Sequence, residues 1–227
     1  MAAFKMALDL PCVNWIELDV HLSKDGIPVV IHDCKLDRTT NAKGRVSDYT
    51  AEQLKRLDAG SWFQASFSSE GVPTLDEVLA LAEGRCKLNI ELKGDDEGTD
   101  YDLLARRAVE TIRGRGMEEE HIVTSFVPDI LKAVRKFSPT IRTGLITSGR
   151  PTDLIDRVVS LRSDFLSIAY NLIDEKLLEE ASASSVEVMA WTVNSAADLK
   201  RLASRPEAFQ LCTNYPDRWK EAIEGES

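Results

Sequence analysis

Two carboxylates stand two residues apart in the stretch Trp15 to Asp33, WIELDVHLSKDGIPVVIHD, and a histidine lies near its end. At the period of a β-strand, Trp15, Glu17, Asp19 and His21 share one face while Ile16, Leu18, Val20 and Leu22 share the other. With the apolar face against helices, Glu17 and Asp19 would repel each other and lose hydration unless a positive charge lay between them. A divalent cation is the natural counter-charge. The turn-forming Lys24-Asp25-Gly26 then folds the chain back through the apolar run Ile27 to Ile31 and brings His32 beside the carboxylates. Carboxylates, a cation and an imidazole are the parts of a hydrolytic site.

A third carboxylate fits the same pattern. Glu91, in LNIELK, alternates with Leu88, Ile90 and Leu92 and falls near the end of a strand. Three carboxylates with water suit a hard ion such as Mg2+ or Ca2+ and offer no soft ligand for zinc. Lys93 follows on the same face, where it could pair with the carboxylates, meet an anionic substrate or simply end a strand in solvent. His32 is the candidate for proton transfer, and the adjacent Asp33 could orient its ring. The chain holds only three histidines. His21 is read as lying beyond the end of its strand and His121 as opening another, and neither is assigned a role. Trp191, in MAWTVN, is either packing or a wall of the site. A serine nucleophile or a nucleotide cradle has no support, since GxSxG, Walker and GxGxxG motifs are all missing.

Positioning these residues requires a regular framework. Residues 2–10 read as the last turns of an amphipathic helix. Thr50 with Gln53 and Thr74 with Glu77 have the spacing of capping boxes and predict helices to Leu57 and through Leu81. From Lys87 onward, strands at 87–92, 122–126, 141–146, 165–169, 186–193 and 209–213 alternate with helices near 101–113, 128–137, 152–161, 174–182, 196–203 and 217–223. Counted from Trp15, seven strand-then-helix units follow one another. From Ile122 the strands begin roughly 20 to 25 residues apart, the spacing of βα units in a parallel sheet. An open doubly wound sheet and a (β/α)8 barrel both fit that spacing. Polar residues recurring on one face, as Asn89, Glu91 and Lys93 do, favour the barrel. A barrel needs eight units, so the first strand is expected to be missing from this chain.

The 227 residues suit a single domain, residues 1–227, with a hairpin and loop inserted at about 23–72. With 28 Lys and Arg against 38 Asp and Glu, the net charge of -10 argues against nucleic acid and anionic membranes as partners. No apolar run approaches the ~18 residues of a membrane helix, so stable membrane insertion is not expected. Cys12, Cys34, Cys86 and Cys212 are scattered without metal or disulfide spacing and read as reduced thiols, consistent with a cytoplasmic protein.

The ordered series IELDVHLSKDGIPVVIHDCKLDRTTNAKGRV, LKRLDAGSWF, VPTLDEVL, LNIELK, TSF, AWTVN and TNYPD resembles the glycerophosphodiester phosphodiesterase family from about Ala2 to Trp219. The resemblance implies a TIM barrel of the type found in phosphatidylinositol-specific phospholipases C, with the hairpin and its loop inserted behind the second barrel strand. It implies a Ca2+ or Mg2+ site on Glu17, Asp19 and Glu91, proton transfer by His32 and phosphate binding by Lys93. The implied substrate is a small glycerophosphodiester, cleaved into glycerol 3-phosphate and an alcohol through a cyclic phosphate that water opens. The family's opening His-Arg-Gly strand and Pro-Glu-Asn-Thr stretch do not occur in this chain, nor do the second catalytic histidine and the arginine they carry. Asn214 stands where the family more often has Asp. The chain is therefore expected to be a fragment or mis-started form, binding a divalent ion weakly and turning over glycerophosphodiesters slowly or not at all, because one proton-transfer group contributes roughly 10²- to 10⁴-fold. A non-catalytic short paralogue that binds a phosphate ester or a partner, and an enzyme for other lipid-derived diesters, are the alternatives.

Overall fold

Strands and capped helices alternate along the computed structural model, which describes residues 1–94, 98–219 and 222. The first part contains α1 (Ala2–Leu8), β1 (Trp15–Leu22), β2 (Pro28–Val30), α2 (Ala51–Lys55) and α3 (Leu75–Ala82). Then come β3 (Lys87–Leu92), α4 (Tyr101–Gly114), β4 (Ile122–Ser125), α5 (Pro128–Phe137) and β5 (Arg142–Thr147). The remainder is α6 (Leu154–Ser160), β6 (Phe165–Ala169), α7 (Glu175–Ala183), β7 (Glu187–Trp191), α8 (Ala196–Ala203) and β8 (Gln210–Leu211). The helix expected over 217–223 lies partly outside the described residues.

Helix starts follow local chemistry. At α3 the Thr74 hydroxyl accepts from the Glu77 N–H at 3.2 Å while the Glu77 carboxylate accepts from the Thr74 N–H at 3.0 Å, the reciprocal pair of a capping box. Thr50 and Gln53 do the same for α2. Asp100, Asp174 and Ser195 cap α4, α7 and α8 by accepting a backbone N–H with their side chains.

The strands form one curled sheet in the order β2-β1-β3-β4-β5-β6-β7-β8. Seven of them, β1 and β3 to β8, run parallel, the number read from the sequence, and β2 folds back antiparallel on β1. With helices packed outside, this is the curled α/β architecture of the TIM-barrel type. Among the described residues no pairing joins β8 to β1 or β2.

Apolar residues of alternate strand positions face outward to the helices. Ile16, Leu18 and Val20 of β1 and Leu88, Ile90 and Leu92 of β3 pack with α3, α4 and α5 in one core. Leu145, Leu166, Ile168 and Val188 pack with α6 and α7 in another. The opposite faces point into the barrel, where Ile122, Phe165 and Met189 are buried together against Trp15, Trp191 and Cys212. Gly144 of β5 makes room for this layer: a Cβ there would stand 2.8 Å from the Phe165 ring and 2.9 Å from its carbonyl oxygen. The segment between β1 and α3 has a small core of its own, in which Val29, Leu36, Val46, Leu54 and Val72 are buried.

One expectation needs correction. His21 does not lie beyond the strand end but within β1, buried, because the strand runs to Leu22 and the turn closes only at the Ser23 N–H to Ile27 carbonyl bond of 3.0 Å. Its Nε2 lies 3.2 Å from the His32 carbonyl oxygen, tying the two arms of the hairpin together.

Two substitutions test this framework by denaturant unfolding. Gly144→Ala should lower stability by about 1–3 kcal/mol, the range for overpacking a filled interior. Thr74→Ala should lower it by about 1 kcal/mol through loss of the cap. An unchanged midpoint for Gly144→Ala would contradict the packing described.

Candidate active site at the strand ends

The parallel register of β1 and β3 sets Asp19 beside Glu91 and Glu17 beside Asn89. Because alternate residues share a face, Glu17, Asp19 and Glu91 all project into the barrel, and one carboxylate oxygen from each lies within 4.8 Å of the others. Lys93, just past β3, closes the group with its Nζ 2.9 Å from Glu91 and 3.5 Å from Asp19. The Lys93 side chain is only 11% exposed and that of Glu91 only 9%, so these charges are held largely away from water.

Three carboxylates facing one ammonium leave an excess of negative charge in a poorly solvated place. Burial, reinforced by Asp19 and Glu91, pushes the Glu17 carboxyl up to about 8, with Lys93 pulling the other way. Burial likewise raises Glu91, against the opposing pull of Lys93. The Cys212 thiol, half-buried after β8, is pushed up to about 12 by desolvation and by the charges of Glu17 and Asp19, and stays protonated. The donor set, all oxygen and net negative, suits a hard divalent cation, whose charge would reverse the effect that keeps Glu17 protonated.

His32 reaches this group through the hairpin. The Ile31 N–H donates to the Asp19 carbonyl at 3.0 Å, which fixes the end of the returning arm against β1 one residue before the histidine. The His32 ring is 66% exposed, its Nδ1 is 2.7 Å from the Asp33 carboxylate, and it is near enough to favour the charged form of Glu91. The Arg38 guanidinium holds Asp33 well below the usual carboxylate range, and the His32 bond adds to this. Of the residues singled out from the sequence, Glu17, Asp19, Glu91 and Lys93 are in mutual reach and His32 borders them.

Trp191 ends β7 half-buried in the inner layer with Trp15, Met189 and Cys212. Phe126 meets it edge to face with ring centroids 5.8 Å apart, and the buried Trp191 Nε1 has no hydrogen-bond partner among the described residues. Trp191 is thus packed in the inner layer. Beneath the carboxylates, Asn89 accepts from the Thr124 hydroxyl at 2.7 Å and donates to the Met189 sulfur at 3.7 Å, a polar brace across the interior. His121, before β4, is buried and pairs its Nδ1 with the Leu88 N–H at 3.2 Å, a structural position.

Sequence reasoning did not assign a part to Arg38, Thr124 or Phe126. Thr124 and Phe126 follow the two-residue period of β4 and were open to discovery once that strand was aligned with β3. Arg38 lies in an irregular loop where no period applies.

Comparison with known proteins gives a consistent picture. Residues 1–218 match the Glycerophosphoryl diester phosphodiesterase family. The chain is 36% identical over 203 residues to a glycerophosphodiester phosphodiesterase of Caldanaerobacter subterraneus, covering 89% of this chain and 82% of that protein. It is 33% identical over 222 residues to one of Bacillus altitudinis, covering 96% and 89%. Among solved structures, an Oleispira antarctica phosphodiesterase in complex with the product sn-glycerol-3-phosphate superposes with a TM-score of 0.87 at 28% identity, covering 99% of this chain and 90% of that one.

The raised Glu17 carboxyl gives a pH signature. The folded state keeps this proton up to about 8, whereas the unfolded chain loses it near the ordinary value of 4.5, so stability falls as pH rises through that window. Thermal unfolding without divalent ions should show this decline, Glu17→Gln should flatten it, and Mg2+ or Ca2+ should raise Tm more at about pH 8 than at about pH 5. A Tm indifferent to both ions at the higher pH would count against the site.

Proposed function

The chain belongs to the Glycerophosphoryl diester phosphodiesterase family, whose members are phosphoric diester hydrolases, and from that premise we propose that it cleaves glycerophosphodiesters into glycerol 3-phosphate and an alcohol at a divalent-cation site on Glu17, Asp19 and Glu91. One observation carries the proposal: three carboxylates and Lys93, drawn from two strands, converge at the strand ends of a barrel. The bound sn-glycerol-3-phosphate in the Oleispira antarctica relative supports the choice of product.

Each residue then has a part. Glu17, Asp19 and Glu91 hold Mg2+ or Ca2+, which when bound supplies Lewis-acid stabilisation of charge on the phosphate. Lys93, steadied by Glu91 and Asp19, presents its ammonium to the anionic diester. His32, exposed at the border of the group, exchanges a proton with an oxygen of the substrate through the ring nitrogen not engaged by Asp33. Trp191, with Phe126 against it, walls the opposite side of the mouth and meets the organic part of the substrate.

The proposal treats residues 1–227 as one domain, with about 23–72 inserted to carry His32. No helix of the described residues is long and apolar enough to cross a membrane. The four cysteines are thiols, which suits a reducing compartment, and the proposed site of action is the cytoplasm on small diesters of lipid origin.

The test combines turnover with binding. Release of glycerol 3-phosphate from glycerophosphocholine should require Mg2+ or Ca2+, stop with EDTA and fall by roughly 10²- to 10⁴-fold in His32→Ala. Calorimetric titration with sn-glycerol 3-phosphate should show binding that depends on the cation and weakens in Lys93→Ala. Finding neither cation-dependent release nor cation-dependent binding would overturn the proposal.

A further inference from the structure

We propose that Arg38 is a positioning residue for His32, acting through Asp33, and that Trp62 holds Arg38 in that task. The inference rests on the reading of His32 as the proton-transfer group.

The His32 side chain is 66% exposed, so no wall of packed atoms fixes the ring. Its orientation must come from a bond, and the bond present runs from Nδ1 to the Asp33 Oδ1 at 2.7 Å. Asp33 is itself gripped by both arms of a guanidinium: Arg38 Nε donates to Oδ2 at 2.6 Å and Nη2 to Oδ1 at 2.9 Å. Such a planar fork fixes a carboxylate in direction as well as in charge. An ionised carboxylate has no hydrogen to give, so the hydrogen between Asp33 and His32 belongs to Nδ1. Nε2 is left as the nitrogen with the free electron pair.

Arg38 is anchored in turn. Its guanidinium carbon lies 5.9 Å from the centre of the Trp62 ring, and the Trp62 Nε1–H donates to the Ala59 carbonyl at 2.9 Å. The loop that presents Trp62 is tightly folded at Gly60, where a Cβ would fall 2.0 Å from the Phe67 carbonyl oxygen. Trp62 is more than half exposed, and it is held by its bond to Ala59, by an edge-to-face contact with Phe63 at 5.9 Å and by the cation contact with Arg38. The series Trp62, Arg38, Asp33, His32 therefore lies wholly on the segment between β1 and α3, while the carboxylates and Lys93 lie on the barrel.

In the reaction, Nε2 of His32 takes a proton from an oxygen, the ring becomes an imidazolium with Nδ1–H still on Asp33, and the same Nε2 later returns the proton. Asp33 and Arg38 exchange no proton. Arg38 holds Asp33 in the direction that sets which nitrogen reacts, and the Asp33 carboxylate stabilises the positive charge that forms on the ring.

The ring nitrogens of the 15N-labelled chain report this directly. With only three histidines present, His32 is assigned by the loss of its signals in His32→Gln. At about pH 8.5, where an imidazole is neutral, the wild type should show a protonated Nδ1 and an unprotonated Nε2 at His32. Asp33→Asn and Arg38→Ala should convert this to an average of the two tautomers, Arg38→Lys and Trp62→Ala to a smaller shift, with the His21 and His121 signals unchanged as the control on folding. In turnover assays Arg38→Ala should lower kcat by roughly 10- to 100-fold with little change in KM, the effect of a misplaced group. A wild type with Nε2 protonated, or an Arg38→Ala spectrum in which His32 is unaltered, would overturn the inference. Because the tautomer is read without substrate, its failure is separable from failure of the diesterase reading.

Discussion

Negative charge crowded into a poorly hydrated place is the constraint on which the rest of this structure turns. Glu17, Asp19 and Glu91 come together with Lys93 as their close cation, and Glu17 responds by holding its proton to about 8. A stable fold tolerates such a group only when the strands beneath it are fixed by other forces. Here the apolar faces of β1 and β3, buried against α3, α4 and α5, supply them. The same alternation that points Leu18, Val20 and Ile90 outward points the acids inward. The electrostatic strain and the hydrophobic core are two faces of the same strands.

The chemistry is divided between two parts of the molecule. The barrel carries the groups suited to a cation and a phosphate, at backbone positions set by strand register. The segment between β1 and α3, with its small core of Val29, Leu36, Val46, Leu54 and Val72, carries the exposed imidazole and the polar contacts that orient it. The hairpin joins them, through the Ile31 to Asp19 backbone bond and the His21 ring on the His32 carbonyl. A histidine on such a segment can meet solvent, as proton exchange requires, while the carboxylates and Lys93 stay sheltered.

Much of this was legible in the sequence because a strand's two-residue period survives without its neighbours. The period placed Glu17 with Asp19 and put Glu91 on a matching face, and the alternation of strands and helices gave seven parallel strands. Capping boxes at Thr50 and Thr74 marked two helices because a cap is a bond within four residues. What was not legible depends on pairs distant in the chain or free of any period. Glu91 was joined to Glu17 and Asp19 from the sequence, but the register that sets it directly beside Asp19 is fixed between separate strands, and the contact of Phe126 with Trp191 joins two others. Arg38 was silent because its loop has no repeat to read. His21 was placed outside its strand, next to the turn-forming Lys24-Asp25-Gly26, whereas the strand runs on to Leu22 and the closing bond joins Ser23 to Ile27.

The central claim, that the three carboxylates hold a divalent cation in contact with the substrate's phosphate, is tested most directly by paramagnetic resonance with Mn2+ as the probe ion. Manganese shares the preference of Mg2+ for oxygen ligands. The account predicts one tightly held Mn2+ per chain, with a 31P hyperfine coupling that appears when sn-glycerol 3-phosphate is added and disappears in Glu91→Gln. A bound Mn2+ that shows no 31P coupling with the ester present, or one whose coupling persists in Glu91→Gln, would contradict it.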